Sequence, residues 1–238
     1  MADRVSDTAE IVVVDDAAAL ADEAMRRIEA ALLNAPADRR SRIVLAGGST
    51  PAPAYRHLAS RPVPWGRVEI FFSDERCVAP AHDASNYRMV HEALLEHVPI
   101  TPAAVHRIPG EIPAADAAAQ AERDLRDSGA GDLPEIDLAV LGMGADGHTA
   151  SLFPGDPAVE ETRALAVPVS GDPARVSLTL PVLNGANRRL VMVDGEDKAA
   201  ALARAVAGDA ELPAGRLAAS GTTWLVTLAA AGHLDQSP

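Results

Sequence analysis

The sequence predicts an α/β fold, with a mostly parallel central sheet flanked by helices on both faces. Short apolar runs typical of buried strands alternate along the chain with segments whose apolar residues recur every three or four positions, as in amphipathic helices. One of these runs, residues 136–141, is apolar almost throughout, which is typical of a strand covered on both faces. At 238 residues, the chain is long enough for one domain spanning residues 1–238, with or without a small extra lobe.

The first half of the chain alternates between predicted strands and predicted helices. Asp15 or Asp16 can cap the first helix and Ser85 the third, because short polar side chains accept hydrogen bonds from the free N–H groups of a first turn. The fourth helix is rich in alanine and ends near Gly129 and Gly131. The strands are residues 11–14, 43–46, 68–72 and 105–108, and the helices are residues 17–32, 51–59, 86–98 and 113–128.

The second half of the chain is richer in predicted strands, and one helix is predicted at residues 197–207. Ligands of parallel sheets bind beyond the carboxyl ends of the strands. The sequence therefore offers four candidate positions for a functional site, at Gly47, Ser73, Gly142 and Val193. The strands of this half are residues 136–141, 164–169, 176–180, 190–193 and 224–228.

Charge and cysteine content narrow the range of functions. The net charge is −13, and we expect no nucleic-acid partner because binding to a polyanion needs a basic surface. A small anionic ligand is compatible with this charge, since a local cluster of arginines can outweigh distant acidic groups. The single cysteine, Cys77, forms no intrachain disulfide, which favours a reducing compartment. No run is long enough for a signal core or a membrane span, so we predict a cytoplasmic protein without a membrane partner.

The first strand end, Gly47-Gly48-Ser49-Thr50-Pro51, has the composition of a phosphate-binding loop. Glycines let backbone N–H groups approach a ligand closely, and the next helix offers unpaired donors and a partial positive charge at its N-terminus. Thr50 is predicted as the N-cap and Pro51 as the first helical residue. The run is not a Walker motif, since no Gly-Lys-Ser/Thr follows. The alternative is a tight strand-to-helix turn that binds nothing.

Two further strand ends carry cations. Arg76, in the run Ser73-Asp74-Glu75-Arg76, can bind a phosphate or a carboxylate through its guanidinium, unless this run is only a solvated loop.

Arg175 precedes a predicted strand, and Lys198 begins a predicted helix. A cation at a helix N-terminus is unfavourable unless an anion is present. For Lys198 the anion is either a bound phosphate or the nearby carboxylates of Asp194, Glu196 and Asp197.

The remaining strand end, Gly142-Met143-Gly144-Ala145-Asp146-Gly147-His148-Thr149, contains the best candidate for a catalytic base. Its glycines allow a tight loop, and Asp146 is close enough in sequence to orient His148; a histidine held in this way is a good general base. A metal site formed with Asp74 is an alternative, but no Cys or His-rich partner supports it. A serine nucleophile, Ser49 or Ser151, is disfavoured because the chain lacks a Gly-x-Ser-x-Gly elbow.

Taken together, these segments resemble the 6-phosphogluconolactonase family. Arg175 and Lys198 also fall where that family has cations, and the resemblance covers nearly the whole chain in order. It implies a fold shared with glucosamine-6-phosphate deaminases and ribose-5-phosphate isomerases. It also implies hydrolysis of 6-phospho-D-glucono-1,5-lactone, the second step of the oxidative pentose phosphate pathway. The matching runs are Gly47-Gly48-Ser49-Thr50-Pro51, Ser73-Asp74-Glu75-Arg76 with Ser85-Asn86-Tyr87, and, most specific, residues 142–154 from Gly142 to Pro154.

One position separates hydrolysis from deamination within this superfamily. The deaminases resemble the chain up to Asp146-Gly147-His148 but carry Glu immediately before Pro, where this chain has Phe153 before Pro154. A deaminase needs more proton-transfer groups than a lactonase, so the resemblance favours hydrolysis. Arg76 also stands where the deaminases place an aromatic residue. The alternatives are an amino-sugar-phosphate deaminase or isomerase, and a non-catalytic sugar-phosphate sensor. Sensors with a similar domain carry an attached pair of DNA-binding helices, and we expect no such pair here because there is no room for one before residue 11.

The mechanism implied by the resemblance requires no metal and no cofactor. His148 takes a proton from the water that attacks the lactone carbonyl, Asp146 orients His148, and Arg76 or loop N–H groups stabilise the oxyanion. The sugar-phosphate lactone is the expected partner, and a monomer or homodimer is the expected assembly. The expected substrate-binding residues are Gly47, Gly48, Ser49, Thr50, Asp74, Gly144, Arg175 and Lys198.

Overall fold

The computed structural model describes residues 8–129 and 133–234, so the predicted helix end at Gly131 lies outside the described residues. The strands are β1 (Glu10–Val14), β2 (Ser41–Leu45), β3 (Val68–Phe72), β4 (Asp74–Arg76), β5 (Val105–His106), β6 (Leu138–Gly142), β7 (Ala166–Val169), β8 (Arg175–Leu178), β9 (Arg189–Val193) and β10 (Thr222–Thr227). The helices are α1 (Ala17–Leu33), α2 (Ala52–Ala59), α3 (Asn86–Ala93), α4 (Ala114–Ser128), α5 (Leu180–Gly185) and α6 (Ala199–Val206).

Seven of the described strands form one sheet in the order β1-β10-β9-β6-β2-β3-β5. Every neighbouring pair in this sheet is parallel, which confirms the predicted α/β class. From β2 the chain moves one way along the sheet to β3 and β5, and from β6 it moves the other way to β9 and β10. The order therefore reverses between β2 and β6, and in such sheets the ligand crevice opens at the reversal.

The same reversal distributes the helices. Connections between parallel strands are almost always right-handed, so connections that run in opposite directions lie on opposite faces of the sheet. Helices α1, α2 and α3 lie in the connections from β1 to β2, from β2 to β3 and from β3 to β5, which all run in one direction along the sheet, and α2 packs against both α1 and α3. Helices α4 and α6 lie in the connections from β5 to β6 and from β9 to β10, which run in the opposite direction. This arrangement agrees with the predicted helices on both faces.

A second sheet of three strands, ordered β4-β8-β7, is antiparallel and packs against α4. Ser73 joins the two sheets: its N–H donates to the Leu45 carbonyl in the main sheet (3.0 Å), and its own carbonyl accepts from the Leu178 N–H in β8 (2.8 Å). The run after Ser73 is thus a short strand rather than the solvated loop that the sequence left open.

Local interactions explain where several helices begin and end. Asp16 caps α1 by accepting from the N–H groups of Ala18 and Ala19 (both 2.9 Å), and the Ser85 hydroxyl caps α3 by accepting from the Arg88 N–H (3.1 Å). Both caps agree with the sequence. The N-cap of α2 is Pro51 and not Thr50, because the Pro51 carbonyl accepts the first helical bond and the helix begins at Ala52.

Other predicted boundaries were wrong for identifiable reasons. The predicted helix 86–98 ends at Ala93, where Leu94 leaves helical geometry (φ −139°) and both Leu94 and Leu95 become buried before a short 3-10 turn. The predicted strand 176–180 ends at Leu178, because Pro181 cannot donate to a strand ladder and instead lies in the first turn of α5, a helix that the sequence did not predict. The predicted helix 197–207 begins as a 3-10 turn at Glu196–Lys198.

The core between the layers is almost entirely aliphatic, as the low aromatic content requires. On α1, the buried residues Leu20, Ala24, Ile28 and Leu32 lie on one face of the helix, and α1 contacts β9 and β10. Among the described residues, no helix is both long and apolar enough to cross a membrane.

Candidate active site

A cavity of about 260 Å³ opens at the carboxyl edge of the main sheet, at the reversal between β2 and β6. Its wall includes every site residue predicted from the sequence except Asp146, which contacts the cavity through His148. A larger cavity of about 500 Å³ lies at the opposite edge of the sheet and contains none of them. The predicted residues in the wall are Gly47, Gly48, Ser49, Thr50, Asp74, Arg76, Gly144, His148, Arg175 and Lys198.

The loop after β6 holds His148 against Asp146. The imidazole Nδ1 lies 2.6 Å from the Asp146 Oδ1, and the His148 backbone N–H donates to the same oxygen (3.1 Å). An ionised carboxylate can only accept, so Nδ1 carries the proton and Nε2 is the basic nitrogen. Nε2 makes no hydrogen bond with any described residue, which leaves it available to a water molecule.

Burial alone would raise the pKa of Asp146, but hydrogen bonds from the His148 backbone and imidazole outweigh it and hold this pKa below its ordinary value. Asp146 is therefore ionised throughout the pH range in which a histidine base works. The pair has the chemistry of a base with its orienting carboxylate.

Two glycines shape this loop. A Cβ on Gly144 would lie only 2.1 Å from the His148 Nδ1 and 2.6 Å from the Asp146 Oδ1, so a side chain there would displace the pair. Gly147 has a φ of +82°, which favours glycine, and its N–H closes the turn onto the Gly144 carbonyl (3.0 Å). The glycine spacing of the motif is thus explained by the close packing around the histidine.

Arg76 and Arg175 are paired directly across β4 and β8. Burial and the proximity of Arg76 lower the pKa of Arg175, and Asp74 only partly opposes this. Like charges opposite each other in a sheet are destabilising. Neither guanidinium makes an ion pair with a described residue, and the buried Arg76 Nε has no hydrogen-bond partner among them. A bound anion would offset the repulsion between the two guanidinium groups.

Lys198 adds a third cation to the same wall and makes no ion pair with any described residue. Of the nearby carboxylates, Asp194 accepts from the Thr227 hydroxyl (3.0 Å). Among the described residues, none of Asp194, Glu196 and Asp197 makes an ion pair with Lys198. In a chain of net charge −13, three cations that make no ion pair with any described residue surround one cavity, which indicates a site for an anion.

Asn86 belongs to this site although it was not among the predicted site residues. Its Oδ1 accepts from the Arg76 Nη1 (2.5 Å), and its Nδ2 donates to the Asp74 carbonyl (2.9 Å). A Cβ on Gly47 would fall 1.9 Å from the Asn86 Oδ1, so Gly47 is small to admit this amide. The only signal in the sequence was the Ser85-Asn86-Tyr87 run, which gives no hint of a contact with residue 47.

Glu75 is buried behind the cavity and anchors the start of α3. Its carboxylate accepts from the N–H groups of Arg76, Asn86 and Tyr87 and from the Ser85 hydroxyl, at 2.7–2.9 Å. Burial raises the pKa of Glu75, and these donors oppose the increase. The carboxylate therefore positions Asn86, and through it Arg76, and does not face a ligand.

Asp74 is nearly fully buried and is held by two hydroxyls, from Ser73 (2.8 Å) and Ser151 (2.6 Å). Ser151 is itself fully buried and donates to Asp74, so it is not placed as a nucleophile activated by His148. Within residues 8–129 and 133–234, no three His, Cys, Asp or Glu side chains come together as metal ligands. Asp74 lies in the wall as a hydrogen-bond acceptor.

The glycine loop 47–50 lies between β2 and the N-terminus of α2. Gly48 has a φ of +99°, and the hydroxyl of buried Tyr55 donates to the Ala46 carbonyl (3.0 Å), which holds the start of the loop. Burial raises the pKa of the Tyr55 phenol, so it stays a donor. The loop, His148 and the three cations thus surround one space.

Comparisons with known proteins indicate the family of this chain. The family model described as glucosamine-6-phosphate isomerases/6-phosphogluconolactonase matches residues 15–225. The 6-phosphogluconolactonase of Streptomyces coelicolor is 35% identical over 98% of this chain and 97% of its own. The crystal structure of 6-phosphogluconolactonase from Thermotoga maritima is 33% identical, with a TM-score of 0.82 over 92% of this chain and 99% of its own.

A monomeric glucosamine-6-phosphate deaminase also shares the fold, with a TM-score of 0.80 over 94% of this chain and 99% of its own, at 18% identity. The fold is therefore common to lactonases and deaminases, as the resemblance implied. The match of the family model over most of the chain, the relatives above 30% identity and the cavity itself lead to one assignment. The chain belongs to the glucosamine-6-phosphate isomerase/6-phosphogluconolactonase family.

Proposed function

We propose that the protein hydrolyses 6-phospho-D-glucono-1,5-lactone to 6-phospho-D-gluconate in the oxidative pentose phosphate pathway. The observation that supports this most directly is the composition of one cavity. It joins a histidine base with its carboxylate to three cations that make no ion pair with any described residue. A phosphorylated ester substrate needs both, because its phosphate must be bound while water is activated at its carbonyl.

In this proposal the phosphate binds at loop 47–50, where N–H groups and the N-terminus of α2 favour an anion. Arg175 and Lys198 provide the charge that a phosphate monoester requires. The backbone of Gly47 and Gly48, with the Ser49 and Thr50 side chains, completes this half of the cavity, and Asp74 and Gly144 line the sugar. The phosphate thereby anchors the substrate at a distance from the reacting carbonyl.

The chemistry centres on His148. Its Nε2 takes a proton from water as the water oxygen attacks the lactone carbonyl, and a tetrahedral oxyanion forms. Asp146 keeps Nδ1 protonated and stabilises the imidazolium that results. When the intermediate collapses, the ring C–O bond breaks and His148 returns the proton to the leaving ring oxygen. Arg76, held by Asn86, stabilises the oxyanion.

The test is turnover of freshly prepared lactone, corrected for its spontaneous hydrolysis. We expect His148→Ala to lower kcat by about 10²- to 10⁴-fold, the usual contribution of a general base. His97→Ala, which removes an exposed histidine from a 3-10 turn, is the matched control and should leave kcat unchanged. A folded His148→Ala variant with near-normal kcat would contradict the assignment of the base.

Substrate binding is tested separately. Arg175→Ala and Lys198→Ala should mainly raise KM, because they remove phosphate contacts shared by ground state and transition state. Arg76→Ala should instead lower kcat, because an oxyanion contact acts only in the transition state. If KM is unchanged in both the Arg175 and Lys198 variants, the phosphate binds elsewhere.

The family also contains deaminases, and ammonia release from glucosamine 6-phosphate tests that activity. Phe153 stands where a deaminase would carry Glu, and an aromatic ring cannot transfer protons. Lactone or product binding without turnover would favour a sensor instead. Assembly as a monomer or homodimer and a cytoplasmic location stay predictions of the sequence.

A further inference from the structure

The aromatic ring of Phe153 contacts two members of the proposed site at once. Its centroid lies 4.6 Å from that of the His148 imidazole, with the rings inclined at 41°, and 5.4 Å from the Arg175 Cζ. We infer that Phe153 is a positioning residue, whose ring fixes the His148 imidazole and the Arg175 guanidinium in one mutual orientation. This inference rests on the proposed roles of these two side chains.

The backbone around Phe153 is constrained on both sides. Ala150 has a left-handed φ of 51°, and Leu152, which is fully buried, donates its N–H to the Thr149 carbonyl (3.0 Å). The Phe153 carbonyl then accepts from the Asp156 N–H (3.0 Å), which closes a second turn. The ring is therefore presented by two successive turns, and an ordered ring can restrain its neighbours.

The imidazole needs a second restraint. The hydrogen bond to Asp146 restrains one atom of the ring, Nδ1, but still permits a small swing of the imidazole, through coupled rotations about χ1 and χ2, that moves Nε2. Contact with the Phe153 ring limits this swing and so determines where Nε2 points. A proton acceptor must meet the attacking water within a narrow range of positions, and an error of about 1 Å can cost roughly 100-fold in rate.

Arg175 is also weakly held by polar contacts. Its Nη1 lies 3.5 Å from the Ser151 Oγ, at the limit of hydrogen bonding, and it has no ion pair with a described residue. Burial and Arg76 both disfavour its charge, as the lowered pKa of Arg175 indicates. The π face of Phe153 is within the distance at which aromatic rings attract cations. Phe153 therefore holds Arg175 in place before an anion binds.

The test removes the ring but keeps the apolar bulk. In Phe153→Leu and Phe153→Met we expect kcat to fall about 10- to 100-fold through loss of His148 orientation. KM should rise about 2- to 5-fold through loss of one partly exposed cation–π contact. Phe153→Tyr keeps the ring and should restore both constants to within about 2-fold of wild type.

Double variants separate positioning from general damage to the fold. In the His148→Ala background, Phe153→Leu should have little further effect on kcat, and in the Arg175→Ala background it should not raise KM further. If Phe153→Leu lowered kcat by the same factor in the His148→Ala background as in the wild type, the inference would be overturned. Phe71→Leu, which removes the ring stacked on His106 (centroids 4.4 Å apart) outside the cavity, is the matched control and should lower the melting temperature without changing kcat.

The outcomes also distinguish this inference from the proposed function. If the wild type does not hydrolyse the lactone, the proposed function fails, and if the His148→Ala variant retains activity, the assignment of the base fails. If His148→Ala loses activity while both Phe153→Leu and Phe153→Met keep wild-type kcat and KM, only the positioning role of Phe153 is refuted.

Discussion

Replacing Gly144 by alanine would displace the proposed base without removing it. The new Cβ would lie 2.1 Å from the His148 Nδ1, whereas ordinary van der Waals contacts begin at 3.4 Å, so the imidazole must move by more than 1 Å. The Asp146 Oδ1, at 2.6 Å from the same Cβ, must move as well. The backbone itself tolerates alanine, since Gly144 does not have a positive φ.

The expected result follows from this displacement. A shift of about 1 Å in a catalytic group can cost roughly 100-fold in rate, so kcat should fall by about 10²-fold. KM should change less than kcat, because the atoms nearest to the new methyl group belong to His148 and Asp146, although Gly144 also lines the cavity. The kinetic signature is thus a loss mainly in kcat.

The assay is initial-rate hydrolysis of the lactone, with circular dichroism and thermal unfolding to confirm that the variant is folded. Gly66→Ala is the matched control, because its Cβ would meet no atom within 4 Å and Gly66 lies outside the cavity. A folded Gly144→Ala variant whose kcat lies within about 3-fold of wild type would refute the reasoning, since a displaced His148 could not then be the base.

Three further predictions follow. Asp146→Asn should lower kcat by about 10²- to 10⁴-fold with KM little changed, because an amide can stabilise the wrong tautomer of His148. Initial-rate measurements test this, and an unchanged kcat would remove Asp146 from the mechanism. Glu75→Ala should lower the free energy of unfolding in urea by about 2 kcal/mol or more, because it strands buried donors, whereas a loss below about 0.5 kcal/mol would mean that water replaces the carboxylate. The hydrogen bonds from Arg107 lower the pKa of Glu111 from 4.5 to about 2, so this group stabilises the folded state above pH 4.5 and the stabilisation is lost as the pH falls toward 2. Glu111→Gln should therefore be less stable than wild type at neutral pH, by about 0.5 kcal/mol after allowance for solvent, and urea titrations should show the difference shrinking below pH 4.5; a difference independent of pH would contradict the assignment.

The main sheet was predictable because its strands are apolar on both faces and its helices carry a regular apolar stripe. The same local patterns also located the strand ends, and so brought Gly47, His148 and Lys198 to one edge. What the sequence could not supply were contacts between distant segments. The pairing of Arg76 with Arg175 depends on the antiparallel register of a second sheet, and no local periodicity reports such a register.

Asn86 illustrates the same limit. Its backbone role at the start of α3 is readable from the Ser85 cap, but its side chain acts on Arg76 and against Gly47, which is 39 positions earlier. The apolar run around Leu178 and Leu180 likewise gave one strand where the structure has a strand followed by α5. A proline at the second position of that helix decided the outcome, although the apolar pattern continued unbroken.

The facing pair of Arg76 and Arg175 makes the stability of the protein without substrate depend on the anions in the buffer. Two like charges held opposite each other oppose folding, and an anion bound beside Arg175 relieves that repulsion. Any anion that binds only the folded state must then raise the melting temperature in proportion to the logarithm of its concentration once the site is filled. The protein should consequently unfold at a higher temperature in phosphate than in chloride at equal ionic strength, and Arg175→Ala should abolish that difference. The difference in melting temperature between the two buffers therefore measures the binding of phosphate in the cavity.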